Sequence, residues 1–325
     1  MMIATLMRGL SKLTSQEDRW FNGMFDRGGR GGRTAAGVAV DEESALTFSA
    51  VYRAIAVLAE TSSQLPLEVF RGKDSQDPTR ELTHPAQALL RKPNPLMDGM
   101  TFRENMTCQL VGRGNAYAEI VWGLGSDQRY RPVSLWPIPA KQVKPKLYPG
   151  SVDKYYEVLR PDGSTIILNS EECLHLRGKG DTLQGWSTLK LARESVGLGL
   201  GAEQHGAAQF GSGNKPAGIM KFRRKPDSQA IDQFKEKWNN DHQGPANASK
   251  VGFIWGEDVN WISTALSNED AQFLQTRQFQ ISEIARFFGV PPHLLFDLTR
   301  ATFSNIEQQS LEFVIHTLMP WVKRW

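Results

Sequence analysis

Residues 267–325 read SNEDAQFLQTRQFQISEIARFFGVPPHLLFDLTRATFSNIEQQSLEFVIHTLMPWVKRW, and the rest of the chain is understood from this stretch. Leu274, Ile281, Ile284, Ala285 and Phe288 recur at helical spacing, which predicts a long amphipathic helix. Ser267 and Asp270 have the spacing of a helix-start capping pair. Gly289 permits a left-handed residue, and Pro291 and Pro292 forbid simple continuation. A short apolar turn follows at 293–298, then a polar loop at 299–303. Ser304 and Glu307 form a second predicted capping box and open another helix. The unit is a long helix, a sharp break, an exposed loop and a second helix.

Read alone, ISEIARFFGVPPHLL has the rhythm of a helix-turn-helix, so a DNA-binding regulator built on residues 281–298 is one expectation. Physical chemistry weighs against it. A recognition helix must offer polar side chains to base edges, whereas Pro-Pro-His-Leu-Leu-Phe-Asp-Leu is mostly apolar. The first helix is also far longer than such a motif needs.

A length of 325 residues suggests about two domains, and 40% hydrophobic residues suffice for substantial cores. The 38 basic and 35 acidic residues leave a net charge of only +3, which argues against a protein that grips nucleic acid tightly. A surface that DNA slides past remains compatible with that balance. Cys108 and Cys173 are too few and too far apart for a disulfide framework or a cysteine zinc site, and they fit a reducing compartment. The opening MMIATLMRGL lacks the apolar core of a signal peptide, and no apolar run approaches membrane-spanning length.

In chain order, residues 1–43 read as a flexible arm rich in Gly and Arg, with Arg27, Arg30 and Arg33 open to an acidic or nucleic-acid partner. Helices are predicted at 44–65, 84–91 and 100–111, and strands at 66–71, 115–122 and 133–138. YYEVL and TIIL make a predicted hairpin across Pro161-Asp162-Gly163. Strands and helices mix without a βαβ repeat, so the expected class is α+β. Residues 187–209 read as a helix despite Gly197, Gly199, Gly201 and Gly206. Each glycine costs about 1 kcal/mol in a helix interior, so Gly197 and Gly201 point to a close neighbouring helix, in this chain or in another subunit, the alternative being a kinked helix. Residues 215–262 then form a compact insertion, with a strand at GIMKF, a helix at 228–240 and a hairpin of VGFIW with VNWIS. Its basic cluster, Lys221, Arg223, Arg224 and Lys225, admits nucleic-acid contact, docking of an acidic partner, or a solvated strand end.

No motif carries chemistry. In GLGLGAEQHG the dinucleotide-binding spacing fails at Gln204, and GSGNKP lacks the Gly-Lys-Ser/Thr ending of a phosphate loop. The six histidines show no metal-ligand spacing. Acidic pairs such as Glu171-Glu172 sit at predicted helix starts, where they complement the dipole. The expectation is therefore no catalytic residues, no cofactor and no metal.

HPAQALLRKPNP, GRGNAYAEIVW, LWPIPAKQV, HLRGKG, the Gly/Ala-rich helix, NKPAGIM and ATFSNIEQQ occur in this order. Together with EDAQFLQTRQFQISEIARFFGVPPHLLFDLTRATFSNIEQQ they resemble the portal proteins of tailed bacteriophages. That resemblance implies a wing at 44–186 and stem helices at 187–214 and 267–289, flanking a clip at 215–266. It further implies a kink and tunnel loop at 290–304 and a helix returning to the wing at 305–325, with the crown absent or short. Thr299, Arg300, Ala301 and Thr302 would then face DNA, although an Arg300–Asp297 ion pair is equally consistent with the residues. The implied assembly is a dodecameric ring at one capsid vertex, built in the host cytoplasm. Its implied partners are double-stranded DNA, terminase, a head–tail adaptor and capsid and scaffold proteins, with no membrane.

Overall fold

A computed structural model describes residues 33–72, 79–125, 128–212, 218–221, 229, 233, 260–263, 267–299 and 303–325. The chain opens with a turn closed by the Arg33–Ala39 bridge. Helices α1 (Glu42–Ala45) and α2 (Ser49–Gln64) follow, then the short antiparallel pair β1 (Phe70–Arg71) and β2 (Thr79–Arg80). Next come α3 (Pro85–Arg91), α4 (Gly99–Arg113), β3 (Asn115–Leu124), β4 (Tyr130–Ile138), β5 (Val143–Leu147), β6 (Lys154–Leu159), β7 (Thr165–Asn169) and β8 (Cys173–Arg177). The helical part comprises α5 (Thr188–Leu191), α6 (Arg193–Ser212), α7 (Ser267–Phe288), α8 (Phe303–Glu312), a π-helical segment Phe313–Leu318 and α9 (Met319–Val322). Between α6 and α7, β9 (Gly218–Lys221) pairs with β10 (Asn260–Ser263).

Two antiparallel three-stranded sheets, β4-β3-β8 and β5-β6-β7, make the strand layer. The α+β expectation therefore holds, because every described strand pair is antiparallel. Alternation along β3 explains the layering. Ala116 and Ala118 face α4, where Phe102, Met106 and Leu110 cover them. Tyr117 points the other way, into a core with Ile138, Val143, Tyr156, Val158, Leu168 and Cys173. A third core joins the helices: Val51 and Leu58 of α2, Val111, Leu189 and Val196, Ile284 and Phe288 of α7, and Phe313 and Leu318.

Asp98 starts α4 by accepting from Thr101 N–H at 2.7 Å, and Gly114 ends it with φ +76°. A Cβ on Gly114 would collide with the backbone of Trp186, so the loop after β8 docks here only on glycine. Asn115 fixes that docking, since its side chain donates to Gly185 O at 2.9 Å and accepts from Gly185 N–H at 2.7 Å. The same Asn115 Oδ1 lies 3.1 Å from His175 Nε2. Nε2 therefore carries the proton, and Nδ1 faces the Tyr156 hydroxyl at 3.4 Å. Tyr117 stacks on the ring at 4.4 Å. Burial, with Lys154 and Arg177 nearby, pushes the His175 pKa down to about 4. Burial raises the Cys173 thiol to about 12 and the Cys108 thiol to about 11, so both are inert thiols.

The structure corrects two expectations. Residues 33–43 are part of the body: Thr34 N–H donates to Val38 O at 2.8 Å, Val40 is buried, and Ala35 N–H reaches Glu194 Oε2 at 2.9 Å. The strand expected over 66–71 shortens to two residues. Within the insertion, Asn260–Ser263 pairs with Gly218–Lys221. VGFIW and most of the helix expected at 228–240, Phe234 and Trp238 included, lie outside the described residues.

Candidate functional site: the kink and the two ends of the loop

Helix α7 ends as the sequence predicts. Gly289 has φ +66°, its N–H donates to Arg286 O at 3.3 Å, and Val290 N–H donates to Ala285 O at 3.0 Å. These two bonds are those of a Schellman stop, and Val290 and Ala285 lie in one core as that motif favours. Pro291 then turns the chain, and Pro292–Leu295 forms a single 3-10 turn. Leu295 is buried and holds the turn to the helical core. The turn closes on Phe296 at φ +63°, a conformation that bulky side chains rarely adopt. Phe296 is 77% exposed, and the Arg53 guanidinium lies 5.2 Å from its ring centroid. Arg53 is held in turn by Glu60 at 3.2 Å.

A four-residue turn with Leu295 buried and a left-handed exit is not a recognition helix. The helix-turn-helix expectation for residues 281–298 therefore fails on geometry as well as on chemistry.

Thr299 is the last residue described before the loop. Its N–H and hydroxyl both bond Asp297 Oδ1, at 3.2 and 2.7 Å. Asp297, weighed above as a partner for Arg300, spends that oxygen on its own turn. Arg300, Ala301 and Thr302 lie outside the described residues. The chain resumes in α8 at Phe303, which places Ser304 within the helix and not before it.

The far side of the loop returns to the same base. His293 Nδ1 is 3.2 Å from Gln309 Oε1, and Nε2 is 3.2 Å from Ser310 Oγ. The Thr317 hydroxyl donates to Gly289 O at 2.7 Å. A Cβ on Gly289 would come within 3.0 Å of Thr317 Oγ1, so glycine serves both the turn and this approach. Further on, Trp325 Nε1–H donates to Thr107 Oγ1 at 3.2 Å, and its ring meets Phe102 edge-on at 6.2 Å. Arg324 donates to Arg177 O at 2.9 Å. Sequence reading missed this bridging by His293. Its only signal was a polar residue placed just after Pro-Pro.

Within this chain the atoms nearest to Gly197 and Gly201 belong to the 34–38 segment and not to a helix. A Cβ on Gly197 would run into the Thr34 side chain, and one on Gly199 would touch the Phe48 ring at 2.8 Å. Gly201 faces Val38 and Ala36 at ordinary contact distances of 3.4 and 3.7 Å. Within this chain the small residues of α6 receive the 33–40 segment and Phe48. Helix α6 meets α7 elsewhere, with an Arg277–Glu203 ion pair at 2.8 Å. Of the basic cluster, Lys221 ends β9 opposite Asn260, while Arg223, Arg224 and Lys225 lie outside the described residues.

Among the described residues no group of three or more His, Cys, Asp or Glu side chains converges to hold a metal. None of the described helices is long and apolar enough to cross a membrane.

Fold and kink together define an α+β body whose long helices lead into and out of one loop. A model of the family described as phage portal protein matches residues 49–325, and the chain belongs to that family. It is 32% identical over 294 residues to the portal protein of Enterobacteria phage HK97, covering 88% of this chain and 67% of that protein. Identity is again 32% over 309 residues with the probable portal protein of Streptomyces phage phiC31, covering 90% of this chain and 65% of the relative. The chain thus spans about two thirds of the length of these relatives. An HK97-family phage portal protein from Corynebacterium diphtheriae superposes with a TM-score of 0.58 at 17% identity, over 90% of this chain and 88% of that one. A chain from the neck of an empty gene transfer agent (GTA) particle superposes with a TM-score of 0.61 at 20% identity, over 91% and 81%. At these identities the likeness is one of fold.

Proposed function

We propose that this chain is the subunit of a ring-shaped portal, with a structural and not an enzymatic role. In this reading the ring sits at one capsid vertex of the virion, after assembly in the host cytoplasm, and carries double-stranded DNA in and out. The observation that supports it best is the kinked unit from α7 to α8, which lies within a family match running from residue 49 to residue 325. Solved neighbours of the same fold come from particle necks computed with C6 and C12 symmetry, which favours a closed, dodecameric ring. The wing takes in residues 33–186, the stem helices are 187–214 and 267–289, and the clip is 215–266. Residues 290–304 supply the kink and tunnel loop, and 305–325 return to the wing. Terminase would drive the DNA, the adaptor would dock on the clip, and capsid and scaffold proteins would surround the ring.

The test is direct. Purified protein should elute many times larger than a 36.4 kDa monomer and show rings with a central channel by electron microscopy. Monodisperse monomers or dimers under all assembly conditions would refute it. For the loop, Arg300→Glu should lower DNA packaging or retention while rings still form, because it sets like charge against phosphate. Wild-type packaging by that variant at low and moderate salt would remove Arg300 from the channel wall.

A further inference from the structure

The helix from 303 to 322 does not present one continuous face. Upstream, the inward positions are Ile306, Gln309, Ser310 and Phe313, spaced as in an α-helix. Downstream they are Leu318, Trp321, Val322 and Trp325, again at α-helical spacing. The two series are out of phase by one residue, since Phe313 and Leu318 are five apart and both buried, at 6% and 5% exposure. In an α-helix five residues rotate by about 500°, which would put these two side chains roughly 140° apart. The Phe313–Leu318 segment absorbs the extra residue as a π-helix, with Met319 N–H donating to Val314 O, five back.

Pro320 gives a local reason for that register. In a continuous α-helix its ring would press on the His316 carbonyl, four residues back, and leave that carbonyl without a donor. Extending the downstream face upstream in α register selects Val314 and Leu311. Both are apolar, and both now stand exposed, at 42% and 55%, with Ile315 beside them at 51%. An open groove bordered by Glu307, Gln308, Ser310, Leu311 and Val314 leaves space along that face. The sequence therefore carries two interchangeable apolar faces, one in use and one idle.

We propose that this helix is a two-register element. With 318–325 anchored on the wing by Trp325–Thr107 and Arg324–Arg177, the π segment converts to α-helix. Residues upstream of it then turn by about 100°. Phe313 leaves the core, Val314 takes its place, and Leu311 replaces Ser310 opposite His293. The observed register is held by Pro320, by Thr317 on Gly289 and by His293 on Gln309 and Ser310. The turn would re-aim the helix that follows residues 299–302. That consequence rests on the portal reading, whereas the register itself does not.

The experiment places single cysteines at Gln309, Leu311 or Val314 in a background with Cys108→Ser and Cys173→Ser. Thiol-labelling rates are compared with and without Pro320→Ala, on samples of recorded oligomeric state. Removing the proline should slow labelling at 311 and 314 by about tenfold and speed it at 309, a reciprocal pattern. Unchanged rates at all three sites would overturn the proposal, and so would uniform acceleration, which is the signature of local unfolding. Because no DNA and no ring are needed, failure here is distinguishable from failure of the portal reading.

Discussion

Gly197 and Gly201 sit one helical turn apart on α6, and alanine should act in opposite directions at the two positions. At Gly197 the new methyl would fall inside van der Waals contact of Thr34 Cγ2 and Oγ1 and lie 2.7 Å from Thr34 Cβ. Thr34 cannot simply rotate away. It is 6% exposed, and its hydroxyl and N–H both donate to Val38 O, at 3.0 and 2.8 Å. Overpacking of this kind costs about 1–3 kcal/mol, against a gain of about 1 kcal/mol in helix propensity. Gly197→Ala should therefore destabilise, by up to roughly 2 kcal/mol. At Gly201 the nearest atom is 3.4 Å away, so propensity wins and Gly201→Ala should stabilise by about 0.5–1 kcal/mol. Urea unfolding of the two variants beside the parent gives the difference from the midpoint shifts at constant slope. Thr34→Gly in the Gly197→Ala background should return most of the loss, a coupling of about 1 kcal/mol or more in the double-mutant cycle. Equal effects at the two glycines, or no rescue by Thr34→Gly, would show that the 33–40 segment does not pack on α6.

Three further outcomes follow from the same structure. His175 titrates near pH 4 in the folded chain against about 6.5 unfolded, so the unfolded state binds the extra proton between these values. Stability should be full above about pH 6.5 and fall by up to about 3 kcal/mol as pH drops to 4; His175→Gln should flatten that slope in a series of urea titrations. Trp325→Phe should keep the contact with Phe102 and lose the bond to Thr107, lowering stability by about 1 kcal/mol, whereas Trp325→Ala should cost about 2–3 kcal/mol by the same assay. His293→Ala should leave far-UV circular dichroism unchanged while amide exchange in 306–312 accelerates several-fold, because the bonds from His293 to Gln309 and Ser310 are then gone.

Much of the fold was legible because it rests on local signals. Gly289 before Pro291-Pro292 could only stop a helix, and the Schellman bonds at Arg286 and Ala285 are what that pattern demands. NAYAEIVW alternates, and β3 uses that alternation to serve two cores at once. What escaped was non-local. RGGRGGRTAAG has no apolar period, yet part of it is ordered, because small side chains at 34–38 fit against the glycines of α6. No helical or strand periodicity records that kind of fit. The pairing of β9 with β10 escaped because short apolar strands look alike in sequence, and choosing between them depends on chain paths many residues apart. The π segment was invisible for a different reason: FVIHTLMPW satisfies a helical pattern in either register, and only burial distinguishes Phe313 from Val314.

The arrangement at the loop has a mechanical consequence. Its entry is fixed by Leu295 in the helical core and by the Asp297–Thr299 turn. Its exit is fixed by α8, which His293 holds to that same entry turn. Entry and exit therefore share one foundation, and a force on the loop tip is delivered first to the few bonds around His293, Gly289 and Thr317. Those bonds lie among exposed or half-buried residues, whereas Ile284, Phe288, Phe313 and Leu318 beneath them form part of the close-packed core. The weakest layer between loop and body is thus polar and local, so the loop can yield without unpacking the wing. Net charge matters for the same reason. On the portal reading, a chain at +3 would hold a polyanion only weakly, so contacts made at such a loop would be broken and remade one at a time.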